Sequence, residues 1–139
     1  MHAAFIVGMA GSGKSVLTAT LRDHLRLTEQ DVVTLNLDPG ATVLPYSPDV
    51  DVRSFVDIQK LMDDYELGPN GALLMATDLA ADNLEEIKEA IEETGSDLVL
   101  VDTPGQIELF AFRNSGLCIS RALTDDLKAV VYVLDSPFC

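Results

Sequence analysis

The sequence predicts an α/β fold of three layers, a mostly parallel sheet with helices on its faces. Three observations carry that prediction. Largely apolar runs of strand length recur along the chain, stretches with helical spacing lie between them, and each run ends on glycine or aspartate. Buried parallel strands read as continuous apolar runs because both of their faces are covered, and alternation of such strands with helices is the signature of a parallel sheet.

Ala4 to Gly8 is the first such run, strand-sized and stopped by glycine. Val16 to Leu27 follows with Leu17, Leu21 and Leu25 on one helical stripe. Val32 to Leu37 is a second strand, ended by Asp38-Pro39-Gly40. From there to Asn83 the chain is expected to be irregular, because Pro45, Pro48 and Pro69 act as breakers. Leu84, Ile87 and Ile91 form the stripe of a helix ending at Gly95, its outer face filled by Glu85, Glu86, Glu89, Glu92 and Glu93. Leu98 to Val101 and Ala129 to Leu134 are further strands, ending at Asp102 and Asp135. Right-handed crossovers put the carboxyl ends of all these strands on one edge. Gly8, Asp38, Asp102 and Asp135 are thereby expected to converge where ligands bind in open α/β sheets.

With 139 residues, the chain is read as one domain, 1–139. Hydrophobic residues at 47% and charged ones at 23% describe a globular chain that can bury a core. Two cysteines, Cys118 and Cys139, make no disulfide framework and no zinc pattern. No apolar run is long enough for a membrane span, and Met1 to Gly8 lacks the basic start of a signal peptide, so a cytoplasmic protein is expected. Lys and Arg number 9 against 23 Asp and Glu, a net charge of -14. That balance argues against direct contact with nucleic acid or an anionic membrane. The acid is spread along the chain without a focus, and lysine is limited to Lys14, Lys60, Lys88 and Lys128. Adaptation to molar salt, which screens self-repulsion, is favoured over an acidic docking face for a basic partner.

Gly8-Met9-Ala10-Gly11-Ser12-Gly13-Lys14-Ser15 fits G-x-x-x-x-G-K-[ST], with a strand before it and a helix after it. In that pattern Gly8, Gly11 and Gly13 let successive N–H groups of the loop through Ser12 point inward as an anion nest, and the helix start, with Val16, adds its dipole. Lys14 is placed to reach the β- and γ-phosphates and the Ser15 hydroxyl to ligate Mg²⁺. The fold is therefore expected to be that of a P-loop NTPase. Asp102, at the end of its apolar strand, supplies the second acidic contact to the metal. Asp102-Thr103-Pro104-Gly105 fits D-x-x-G, the switch segment whose glycine N–H meets a γ-phosphate, and Gln106 sits where an amide can orient a water. Asp38 is a candidate for holding the metal or activating that water.

Gly68-Pro69-Asn70, lying between the phosphate loop and Asp102-Thr103-Pro104-Gly105-Gln106-Ile107-Glu108, completes a set that resembles the GPN-loop GTPases, close to their archaeal members. Asn36-Leu37-Asp38-Pro39-Gly40, Leu44-Pro45-Tyr46 and Asp51-Val52-Arg53 support it, and the segment 39–83 is taken as the one containing the GPN loop. The resemblance implies Mg²⁺-dependent hydrolysis of GTP to GDP and phosphate by a homodimer. In it the GPN loop of one protomer, here Gly68, Pro69 and Asn70, reaches the γ-phosphate region of the other. It also implies catalytic roles for Asp38, Gln106, Asn70 and Lys14, metal roles for Ser15, Asp38 and Asp102, and a client such as RNA polymerase subunits. Met9 stands where related partition ATPases carry an extra lysine, and Arg53 is read as a structural partner of Asp51 or Asp57.

No N-K-x-D motif for reading guanine is present, so the chain is expected to be the amino-terminal part of such a protein, cut before the base-recognition strands. Two rivals stand beside GTP hydrolysis: a nucleotide-gated assembly factor with negligible turnover, and a P-loop kinase.

Overall fold

The computed structural model describes residues 1–9, 11–105 and 128–133. Ala10, Gln106, Cys118, Asp135 and Cys139 lie outside the described residues, and so does the expected strand beyond Val133. The described elements are strand β1 (His2–Gly8), helix α1 (Lys14–Leu27), strands β2 (Val32–Asn36) and β3 (Val50–Asp51), helices α2 (Ile58–Tyr65), α3 (Pro69–Asp82) and α4 (Leu84–Glu93), and strands β4 (Leu98–Asp102) and β5 (Lys128–Val133). A 3-10 turn over Val52–Ser54 follows β3.

All five strands pair in parallel, in the order β3-β2-β4-β1-β5. The register fixes the carboxyl edge of the sheet. Asp102 aligns with Ile6 of β1 on one side and with Asn36 of β2 on the other, and Asn36 aligns in turn with Asp51. Every residue of β2 is buried, as two covered faces require. Ala3, Phe5, Val33, Leu35, Val99 and Val101 share one face and pack with Ile87 and Ile91 of α4. The alternate residues Ile6, Thr34 and Leu100, also buried, turn to the opposite face, where α1 packs against β1, β2 and β4. Three layers result.

Most elements fall where their apolar pattern puts them, and the stretch between Asp38 and Asn83 does not. It contains α2 and α3, packed on each other through Val56, Leu61, Ala72 and Ala76. Asp57 caps α2, its carboxylate accepting the Lys60 N–H at 3.2 Å. Pro69 starts α3 rather than breaking it: at the first helical position its missing N–H is one that no helix bond would use. Gly68-Pro69-Asn70 is therefore the start of a helix. Ala72, Ala76 and Ala80 recur every fourth residue on its buried side.

The glutamates of α4 are exposed, and Glu85 and Glu86 face the positive end of the helix dipole. His24 is exposed too. No described helix is long and apolar enough to cross a membrane.

Leu35, at 0% exposure in the middle of β2, tests the packing of this core. Leu35→Ala is expected to lower the unfolding free energy by about 2–5 kcal/mol in urea titration; a loss below about 1 kcal/mol would contradict a core closed on both faces of β2.

Candidate functional site

The site lies at the carboxyl edge of the sheet, where β1 passes through its glycine loop into α1. Gly11 and Gly13 take positive φ values of 80° and 92°, and α1 starts immediately after, with Lys14 as its first residue. Such a turn aims backbone N–H groups and the helix dipole into one concavity. The Ser12 hydroxyl within it is buried and has no hydrogen-bond partner among the described residues. A buried hydroxyl left unmet is costly, and an anion in the loop would satisfy it.

Beneath the loop sits Asp102, at 0% exposure. Lys14 Nζ donates to its Oδ1 at 3.0 Å, the Ser15 hydroxyl to its Oδ2 at 2.7 Å, and the Tyr46 hydroxyl to the same Oδ2 at 3.0 Å. Thr103, next in the chain, is tied to β1 through its hydroxyl, which donates to the Ile6 carbonyl at 2.7 Å. One carboxylate thus gathers donors from the phosphate loop and from the segment after β2.

That segment, 37–49, forms the second wall. Asn36 shapes its start: the Asn36 side chain accepts the Asp38 N–H at 3.0 Å and donates to Asp51 Oδ1 at 3.0 Å. Asp38 then accepts the Gly40 N–H at 3.0 Å. Arg53 pairs with Asp51 at 2.7 Å, as its neighbourhood predicts, and also donates to the Ala41 carbonyl at 2.9 Å. At the far end Asp49 accepts from the N–H and hydroxyl of Thr34 at 2.9 and 3.1 Å. The segment is pinned at both ends and in its middle.

Burial pushes the Asp38 carboxyl above the ordinary aspartate range, with the Gly40 N–H and the charge of Lys14 opposing. Burial works against ionisation of Asp51 also, but hydrogen bonds from Arg53 and Asn36 outweigh it and hold its carboxyl below that range. Burial and the neighbouring Asp102 raise the Tyr46 hydroxyl well beyond the usual tyrosine value, so it remains a donor.

Between the two walls opens a cavity of about 460 Å³, lined by Gly11, Gly13, Lys14, Ser15, Val16, Asp38, the stretch 40–44 and Gly105. Of the residues the sequence singles out, these come together, with Asp102 below them and Gly8 at the end of β1. Gly68, Pro69 and Asn70 are exposed and do not line it. The start of α3 is nevertheless close: a Cβ placed on Gly40 would meet Leu73, one turn along, at 2.8 Å. Gln106 lies outside the described residues. Tyr46 and Asn36, quoted in the sequence only within stretches that support the resemblance and given no role there, also contact the site's carboxylates, Asp102 and Asp51 respectively.

Hard oxygen donors, a hydroxyl and a carboxylate within hydrogen-bond distance of each other beside an anion loop, suit Mg²⁺ carried on phosphates. Among the described residues no group of three or more His, Cys, Asp or Glu side chains is placed to hold a metal by itself. Such sparse protein ligation is normal where phosphates supply the remaining oxygens.

Comparison with known proteins agrees with this geometry. The family model described as a conserved hypothetical ATP binding protein matches residues 6–139. The chain is 37% identical over 135 residues to GPN-loop GTPase 1 of Dictyostelium discoideum, covering 95% of this chain and 34% of the relative. It is 40% identical over 135 residues to GPN-loop GTPase QQT2 of Arabidopsis thaliana, covering 95% and 36%. Among solved structures, a GTPase from Pyrococcus abyssi in apo form superposes with a TM-score of 0.81 at 38% identity, over 94% of this chain and 52% of that one. The chain spans about a third to a half of the length of such relatives. On its phosphate loop, its Asp102 cluster and these likenesses, the chain belongs to the GPN-loop GTPase family.

Proposed function

We propose that the chain carries the phosphate-handling half of a Mg²⁺-dependent GTPase. The observation that supports this most is the Asp102 cluster. Lys14 and Ser15, the two P-loop side chains that phosphoryl transfer needs, are held 3.0 and 2.7 Å from one buried carboxylate at the mouth of an anion-binding loop. Guanine as the base rests on the relatives' names.

With nucleotide present, Lys14 turns from Asp102 to the β- and γ-phosphates, and the loop through Gly11, Ser12 and Gly13 wraps the β-phosphate with N–H groups. Val16 lies at the cavity mouth beside the nucleotide. Ser15 and Asp102, with Asp38 nearby, would hold Mg²⁺, which would supply charge to neutralise the reacting phosphate. Asp38 and Gln106 orient the attacking water, and the Gly105 N–H meets the γ-phosphate. The water oxygen bonds to the γ-phosphorus as the bridging bond to GDP breaks, and the phosphate leaves as H₂PO₄⁻ with both of the water's protons. Positioning and charge neutralisation do most of this work.

Gly68, Pro69 and Asn70 act across a homodimer in this reading. Their exposure at the start of α3, on the molecular surface, supports it. A role in assembling complexes such as RNA polymerase extends the family resemblance to this chain.

The test is GTP turnover with Mg²⁺ in molar KCl, alongside GDP affinity. Lys14→Ala is expected to weaken GDP and GTP binding at least about a hundredfold, and unchanged affinity would sink the reading. In the same assay Asn70→Ala should slow hydrolysis about a hundredfold and spare binding; equal losses of both would argue against its place at the γ-phosphate.

The raised Asp38 carboxyl sets the pH dependence. Its ionised form is the one that can accept from water, and falling pH protonates it earlier than an ordinary aspartate. The acid limb of the pH profile of kcat/KM, which reports groups of the free protein, is therefore expected above the ordinary aspartate pKa of about 3.9. A kcat/KM that stays flat down to that value would exclude Asp38 as the water's partner.

A further inference from the structure

Asp102 has three donors, and the proposed GTPase cycle takes two of them away. Lys14 leaves for the phosphates and Ser15 for the metal, while the carboxylate stays buried at the end of β4. The Tyr46 hydroxyl, 3.0 Å from Asp102 Oδ2, has no such alternative. Tyr46 is 6% exposed and does not line the phosphate cavity. Its ring lies under the Arg22 guanidinium, 5.8 Å from the ring centre, which fixes the phenol from its other side. The residues just before it, 40–44, form the wall of the cavity.

We infer that Tyr46 is a positioning residue: its hydroxyl holds the Asp102 carboxylate in the orientation seen here after Lys14 and Ser15 have turned to the nucleotide and metal. The inference rests on the proposed nucleotide site, and it adds a residue that no phosphate-loop or switch motif contains. A carboxylate with a single free hinge loses orientation when its donors depart, and a hydrogen bond to a charged group is worth enough to prevent that.

Tyr46→Phe removes the hydroxyl and keeps the ring against Arg22. The readout is affinity for a fluorescent GDP analogue across a Mg²⁺ titration, ending in EDTA. The Mg²⁺ concentration giving half the effect should rise about tenfold in Tyr46→Phe, with affinity in EDTA held within about twofold of the parent. Superimposable titrations, or an equal loss of affinity with and without Mg²⁺, would overturn the role. A parent chain with no Mg²⁺-dependent affinity would overturn the nucleotide site and this inference together, whereas a Mg²⁺-dependent parent and an unshifted variant would overturn the Tyr46 role alone. A measurement on the unaltered side chain covers the case of a variant that fails to fold. The Tyr46 hydroxyl proton, assigned by exclusion with Tyr65→Phe and Tyr132→Phe, should exchange slowly by NMR and remain slow when Mg²⁺–GDP saturates the site. Collapse to fast exchange on saturation would overturn the inference.

Discussion

The buried carboxylate of Asp102 is the constraint on which this architecture turns. A charge with no exposure must be met by donors, since an uncompensated one costs several kcal/mol. Lys14, Ser15 and Tyr46 meet it, and they are 88, 87 and 56 positions away in the chain. Satisfying that one group therefore sets the start of α1, the path of the segment after β2 and the end of β4 together. The parallel register makes the meeting possible by aligning Asp102 with Ile6 and Asn36. Two of those donors, Lys14 and Ser15, are also the groups that the proposed nucleotide and metal would draw on.

Electrostatics elsewhere follow a different rule. The described ion pairs Arg22–Asp23, Arg26–Asp49 and Arg53–Asp51 all keep solvent access on at least one partner. Pairs of that kind are weak individually and weaken further in salt. The Lys14–Asp102 pair, with side-chain exposures of 7% and 0%, is shielded from that screening. In a chain of net charge -14, high ionic strength relaxes the repulsion among surface carboxylates while leaving the site pair in place. Arg53 gains its value from geometry: it neutralises Asp51 and holds the Ala41 carbonyl, so it braces the cavity wall.

Much of this was written in the sequence because burial on both faces leaves an unmistakable apolar run. β4 follows such a run to within a residue, β2 does so although Thr34 and Asn36 are buried within it, and α1 and α4 follow their leucine and isoleucine stripes. The phosphate loop and Asp102 are legible for the same reason, lying where a run stops. The helices α2 and α3 were hidden by prolines that break a helix interior yet suit its first turn, as Pro69 does. The small apolar side of α3, built from Ala72, Ala76 and Ala80, also gives little periodic contrast. Tyr46 was out of reach for another reason. Its partner is set by strand register and not by local spacing, so nothing near Leu44-Pro45-Tyr46 points to Asp102.

The thermal stability of Asp102→Asn and the parent chain, each with GDP in EDTA and with GDP plus Mg²⁺, addresses the central claim most directly. Ligand that binds only the folded state raises stability by about 2.7 kcal/mol at a hundredfold excess over its dissociation constant, so Mg²⁺ that tightens GDP binding shows as an added rise in midpoint. If Asp102 is the carboxylate that trades Lys14 and Ser15 for nucleotide and metal, Mg²⁺ adds to the midpoint of the parent and adds nothing to that of Asp102→Asn. An equal Mg²⁺ increment in both proteins would contradict it.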